Sequence, residues 1–441
     1  MKSEKLMDYI GQIDDSIIVE ADIQTATTNP VKLSWIKWVS IAAVAVACLV
    51  VAIPFMLNRA PEPIDYSSLP KLAVSTDFGT MGFEGYMAYN IEELQNGNPW
   101  TANGLTTMPV FNNPGTYSAG VPKEGLSPDE MLAEVEEITN LFGLEIISIY
   151  TTPTQEQISV ILEKLKGEND DIIQAETTAH RATAECNGAK VEVQKSGSIL
   201  LTLTPETANL ANDIGKLSVY NNFAVAFDYG YELIGDTQCY GGLPLPDGLK
   251  FSYDNVSREQ AMEISEYLFS KYGAFTGIRT PGYDVFADYT YSGVLTRLSA
   301  SVFENAGSLT ERVLNYHFNR LQFDATDLGG LGAIRYYNTD LSQKIGDYPI
   351  ITANEARTLL LNKRYITTVP EALPGGEYIA HVELTYRTSW LDTVLMPYYK
   401  FLVEMPTMQR ENGLKTFGVF YVPAVQAEFL ENMPVRDDSF D

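Results

Sequence analysis

Apolar residues along this chain keep three rhythms, and each predicts a different element. In SEKLMDYIGQIDDSIIVEA (residues 3–21), Leu6, Tyr9, Ile10, Ile13 and Ile17 recur at helical spacing. Ser3 suits the start of this helix and Gly11 weakens its middle. A lone helix so short is marginal in water, so its apolar stripe needs a covering surface. Asp8, Asp14, Asp15 and Glu20 make the polar side acidic, which favours a protein partner over anionic lipid.

The second rhythm is unbroken. WVSIAAVAVACLVVAIPFML, from Trp38 to Leu57, carries no charge. Twenty helical residues cover roughly 30 Å, the depth of a bilayer's hydrocarbon core. Trp35 and Trp38 stand at one end, where indoles favour the interface. A cleaved signal has a shorter apolar region behind a brief basic leader, and Cys48 after Ala45-Val46-Ala47 only loosely fits a lipidation site. The stretch therefore reads as a retained transmembrane helix over 35–57. Lys32 and Lys37 precede the uncharged run that begins at Trp38 and Arg59 follows it, which sets the N-terminus in the cytoplasm and the remainder outside.

The third rhythm alternates. TATTNP (25–30) is a polar joint, and RAPEPIDYSSLP (59–70) reads as an extended Pro-rich linker. Beyond it, capped helices precede groups of strands. SPDEMLAEVEEITNLFG (127–143) predicts a helix with Pro128 in its first turn, and TPTQEQISVILEKLKG (152–167) a second. Asn187-Gly188, between RATAEC and AKVEVQK, predicts a hairpin, with ILLTLT as a third strand. NVSREQAMEISEYLFSKYG (255–273) opens another unit, Ser257 with Gln260 forming a capping box. Its predicted strands are YDVFADYTYSG, VLTRLSASVFE and ERVLNYHFNRLQFDA. ITANEARTLLLNKRY (351–365) opens a third, Thr352 with Glu355 again forming the box, before EYIAHVELTYRT, VLMPYYKFLVEM and TFGVFYVPAVQAEFL. Helices ahead of strand groups indicate an α+β fold of repeated helix-plus-antiparallel-sheet modules. The organisation expected is a stub (1–34), a span (35–57), a linker (58–70), a first α+β region (71–250), a second module (251–350) and a third (351–441).

Charge changes the picture mainly by exclusion. The net charge is −27, and residues after Arg59 carry 25 Lys and Arg against 51 Asp and Glu. Such a surface repels phosphate backbones, so nucleic-acid binding is not expected. The acidity serves solubility, or else a cationic partner. Cys186 and Cys239 stand far apart in sequence, which leaves a disulfide between them open.

Candidate chemistry is sparse. His180, His317 and His381 are scattered through predicted strands, with no metal-ligand spacing. No G-x-S-x-G, H-E-x-x-H, C-x-x-C or P-loop motif occurs, and no cofactor is expected. YGGL (240–243) and GGLG (329–332) read as turns. Asp284 with Asp288, or Glu383 with Glu404, are candidate carboxylate pairs of the glycosidase kind. In MPYYKFLVEM (396–405), Tyr398, Tyr399 and Phe401 are candidates for lining a peptide or glycan groove. The alternative is that Tyr399, Phe401 and Val403 alternate into the core.

The third unit resembles PepSY-like modules and the membrane-anchored YycH/YycI-type regulators of Gram-positive bacteria. Thr352, Glu355, Ala356, Pro397, Tyr398, Tyr399 and Phe401 carry the resemblance, and Ser257, Gln260 and Ala261 match its helix part. The stub, basic flank and span together resemble the start of clostridial anti-sigma-like envelope proteins. The resemblance implies a non-catalytic regulator or sensor outside the membrane. Its stub, through Leu6, Tyr9, Ile10, Ile13 and Ile17, would then contact a cytoplasmic sigma factor or a membrane kinase. The alternatives are a cell-surface hydrolase of wall glycan or peptide and a plain adhesion or scaffold module.

Overall fold

The computed structural model describes residues 66–76, 85–89, 94, 96–114, 117–118, 121–122, 125–168, 170–252, 257–289, 295–388, 392–408 and 415–436. Residues Ser67–Asp441 fall in one compact unit. In chain order its main elements begin with β1 (Gly85–Tyr89), β2 (Thr107–Asn112), α1 (Pro128–Phe142), β3 (Ile146–Thr152), α2 (Gln155–Lys164) and α3 (Asp170–Thr177). Then come β4 (Arg181–Cys186), β5 (Ala189–Gln194), β6 (Ile199–Leu203), β7 (Asn222–Phe227), β8 (Tyr231–Ile234), β9 (Thr237–Tyr240) and α4 (Arg258–Tyr272). β10 (Pro281–Tyr289), β11 (Leu295–Glu304), α5 (Leu309–Phe318), β12 (Asn319–Ala325), β13 (Leu331–Asn338) and β14 (Lys344–Pro349) follow. The chain closes with α6 (Ala353–Leu361), β15 (Ile379–Tyr386), β16 (Pro397–Glu404) and β17 (Lys415–Pro423).

Local chemistry explains where the helices start. Five of them open on a reciprocal capping box: Ser127 with Glu130, Thr154 with Gln157, Ser257 with Gln260, Ser308 with Glu311, and Thr352 with Glu355. In each, the cap hydroxyl accepts an otherwise orphaned backbone N–H and the acid or amide accepts the cap's own N–H. α1 stops at Gly143, whose φ of 65° is the left-handed region that glycine enters freely. Asn187-Gly188 turns β4 into β5, with Gly188 at φ 71°.

A nine-stranded sheet dominates, in the order β10-β11-β12-β13-β7-β6-β5-β4-β3. Every neighbouring pair is antiparallel except β6 with β7, which run parallel across the 3-10 crossover Ala208–Val219. α1 buries Met131, Val135, Ile138 and Phe142, while α4 buries Ala261, Ile264, Leu268 and Tyr272. Both faces join one core with Val191, Leu201, Val225, Val302 and Phe323 from the sheet. Each fully buried side chain of this size contributes about 2 kcal/mol.

Beside it stand a smaller sheet, β1-β17-β16-β15, a three-stranded one, β14-β2 with Val394–Leu395, and two two-stranded ones, β8-β9 and Tyr117–Ser118 with Val121–Pro122. Here strands from early and late in the described chain meet, since β1 pairs with β17 and β2 with β14.

These topologies correct the expected fold class. The helix-plus-strand runs are not separate PepSY-like modules. β7 pairs with β13, from Ala226 with Ala333 to Asn222 with Tyr337, so strands from 71–250 and 251–350 share one mixed sheet. β1 and β2 likewise pair with strands from beyond residue 340. Long-range pairing, which alternation cannot reveal, overrides the modular reading.

ERVLNYHFNRLQFDA is not one strand. Its first part is helix α5, capped by Ser308 and Glu311, so His317 is helical. The membrane assignment is corrected too. Among the described residues no helix is long and apolar enough to cross a membrane. The stretch 35–57 lies outside the described residues, and the transmembrane, single-pass localisation is not carried further.

Candidate functional site

Two places gather chemistry. The first is buried, and joins the large sheet to the smaller one. Asp284 on β10 and Glu383 on β15 are 8% and 5% exposed. Asn96, Gly97 and Asn98 connect them. The Gly97 N–H donates to Asp284 Oδ1 at 2.8 Å, and the Asn96 amide donates to Glu383 Oε2 at 2.8 Å. Asn98 Nδ2 donates to the same Glu383 oxygen at 3.2 Å and to the Leu384 carbonyl at 2.9 Å. A Cβ on Gly97 would lie 2.8 Å from Asp284 Cβ and nearer still to the Tyr283 carbonyl, so only glycine fits.

The remaining lone pairs are also used. Tyr316 on α5 donates to Asp284 Oδ2 at 2.9 Å, and Arg258 on α4 stands 3.6 Å from Oδ1. Lys400 Nζ lies 3.3 Å from Glu383 Oε1, across the β15–β16 pair, and His381 Nε2 is 3.9 Å from Oε2. Burial pushes the Asp284 carboxyl up, against the lowering pull of Gly97, Tyr316 and Arg258. Glu383 is also buried, yet Lys400 above all holds its carboxyl well below the usual range. The His317 ring sits beside them with Nε2 shut from solvent and unpaired. Burial pushes its pKa down to about 4, opposing the upward pull of Glu383.

This cluster brings together one acid from each candidate pair, but not as paired in the sequence. Glu404 is held by Lys415 at 2.7 Å, and Asp288 lies four positions along β10 from Asp284. The chain's own amides fill the oxygens of Asp284 and Glu383 that a substrate would need, so the arrangement clamps the 96–98 segment between two sheets.

The second place is open. β8 and β9 form a hairpin with Gly235 at φ 63° in its two-residue turn. Tyr231, Leu233, Ile234 and Tyr240 are 56%, 69%, 58% and 54% exposed. Beside the hairpin lies a cavity of about 450 Å³, lined by residues that include Tyr231, Glu232, Leu245, Leu249 and Lys250. Its floor is built from the two glycine runs. Leu243 and Leu331 exchange backbone hydrogen bonds at 2.8 and 2.9 Å. At Gly242 an added Cβ would fall 2.7 Å from the Thr326 methyl, and at Gly330 2.9 Å from the Gly242 carbonyl carbon. The absent side chains let the backbones meet and leave the hollow above them. Asp327 anchors the hairpin by accepting the Tyr240 N–H at 2.8 Å. Glu232 and Lys250 are the charged residues of its lining; Asp228, Asp236, Asp247 and Asp327 fall in the segments that carry the lining, 228–250 and 327–330, where Lys250 is the one cation.

The residues singled out from the sequence lie elsewhere. Leu6, Tyr9, Ile10, Ile13 and Ile17 lie outside the described residues. Tyr398, Tyr399 and Phe401 are 2%, 3% and 1% exposed, so they line no open groove. Tyr399 donates to the Ile351 carbonyl at 2.7 Å and meets Trp100 edge-on at 5.8 Å. The YGGL and GGLG runs held a signal for the cleft, since two glycine pairs far apart in sequence mark close backbone approach. Cys186 and Cys239 are both free. No family model, curated protein or solved structure matches the chain.

Proposed function

We propose that this chain is a non-catalytic binding protein of the regulatory or sensing kind. It holds a short apolar, basic segment of a partner protein in the cleft beside the β8–β9 hairpin. The carrying observation is that hairpin, with four large apolar side chains exposed, beside a cavity of about 450 Å³ whose lining includes Tyr231. Exposed apolar groups gathered beside a hollow are the usual mark of a recognition surface. Among the described residues β8 pairs only with β9, so its outer edge offers backbone groups to an added strand. The segments that build the cleft, 228–250 and 327–330, carry five acids against one lysine, which favours a basic ligand. The regulatory class is what the PepSY-like resemblance implies. The closed clamp around Asp284 and Glu383 supports binding over the hydrolase alternative.

The test uses the full chain and labelled nonapeptides of alternating apolar residues, in basic, neutral and acidic sets, read by fluorescence anisotropy. The basic set binds best, weakens with salt, and loses at least roughly tenfold in affinity when Tyr231→Ala is combined with Leu233→Asp. Equal binding of all three sets, no binding, or binding that the double variant leaves intact would refute the proposal.

A further inference from the structure

We propose that the chain self-associates by pairing β3 edge to edge with β3 of a second copy, about a two-fold axis at Ile149. This surface is separate from the cleft and does not depend on it.

β3 ends the nine-stranded sheet and is hydrogen-bonded to β4 on one side. It is also the sheet's most exposed apolar strand. Ile146, Ile147, Ile149 and Tyr150 are 38%, 65%, 36% and 37% exposed. Edge strands are normally guarded by charge or proline, because their unpaired N–H and C=O groups template another strand. The opposite edge, β10, has such guards in its sequence: Pro281, Asp284 and Asp288. β3 has none. From Ile146 to Gln155 the chain carries no charged residue, although it has 57 acids overall.

That uncharged run also identifies the occupant. A basic partner, which the acidic surface elsewhere would attract, gains nothing electrostatic here. Two copies of this acidic chain can meet along such a strand without setting like charges against each other. Antiparallel pairing about Ile149 sets Ser148 opposite Tyr150, with the register shift at Ile147 falling near Thr151. Glu145 then falls within the partner strand's uncharged stretch 152–154 with or without that shift, so no acid faces an acid. The contact is isologous and closes, with the same strand on both sides.

Sedimentation velocity on the full chain across a concentration series tests this. The expected result is a twofold rise in mass with concentration, abolished by Ile147→Lys and retained by Leu233→Asp on the hairpin. A second measurement fixes the register. With Cys48 and Cys239 replaced by serine, Ile149→Cys sets two thiols opposite each other across the axis, within disulfide reach. Mild oxidation then yields a covalent dimer on a non-reducing gel, which the serine-substituted parent does not form. A chain monomeric throughout, a dimer that Ile147→Lys leaves intact, or one dissolved by Leu233→Asp would overturn the proposal. Failure of Ile149→Cys to cross-link would overturn the axis.

Discussion

Tyr316 and Asp284 share a hydrogen bond of 2.9 Å, phenol to carboxylate, between α5 and β10. The other oxygen of Asp284 takes the Gly97 N–H, so one buried acid ties a helix, a strand and a loop together. Gly97→Ala forces a methyl against Asp284 Cβ and the Tyr283 carbonyl. The expected cost is about 2 kcal/mol, as for overpacking elsewhere. It reads as a lower urea midpoint with an unchanged slope, and an unchanged midpoint would show that this segment is not seated on β10.

His317 makes stability depend on pH in a defined direction. Its ring takes a proton near the ordinary value of 6.5 in the unfolded chain but only at about 4 when folded. Between those values the unfolded state binds more protons, so stability falls as pH drops from 6.5 towards 4. The full loss is roughly 3 kcal/mol. His317→Gln removes this contribution. The gap in urea midpoint between wild type and variant therefore shifts against the wild type on acidification from about pH 7 to about pH 5.

Glu383→Gln leaves the partly buried Lys400 ammonium facing a neutral amide. The expected destabilisation is about 3 kcal/mol, typical of breaking one side of a buried pair. Adding Lys400→Met recovers part of it, because the pair is then removed together. A double-mutant cycle in chemical denaturation measures that coupling.

Thr352→Ala removes the hydroxyl that accepts the Glu355 N–H at the start of α6. Loss of such a cap costs about 1 kcal/mol. Amide hydrogen exchange in the first turn of α6 speeds up, while exchange in α1 stays as it was.

Cys239 is half-exposed on the hairpin, whereas Cys186 is buried and burial pushes its thiol pKa up. Native protein therefore gives up Cys239 readily to a maleimide, and Cys186 only after unfolding. Peptide mapping of the labelled chain distinguishes the two.

Legibility in the sequence followed the range of the interaction. α1, α2, α4 and α6 announce themselves because cap and partner lie three residues apart, and Asn187-Gly188 announces its hairpin for the same reason. α5 was hidden by its aromatic residues, which alternate as a strand's would, although Ser308 and Glu311 carried the sign of a helix start. β7 and β13 escaped because what makes them central is a pairing across more than a hundred residues. The clamp was legible only as isolated acids. Asp284 and Glu383 lie far apart in the chain, and nothing local in Asn96-Gly97-Asn98 says that it bridges them. The cleft was half legible: both glycine runs read as turns, and only the fold set one upon the other.

The β7–β13 junction also imposes an order in time. The strand pairs on either side of it close over short or moderate stretches of chain. This one must wait for segments more than a hundred residues apart to find each other. Loop-closure entropy makes such an encounter late, so each half of the sheet zips first and briefly shows the other a bare strand. The newborn chain is thus open to sticking at a seam that its mature form encloses.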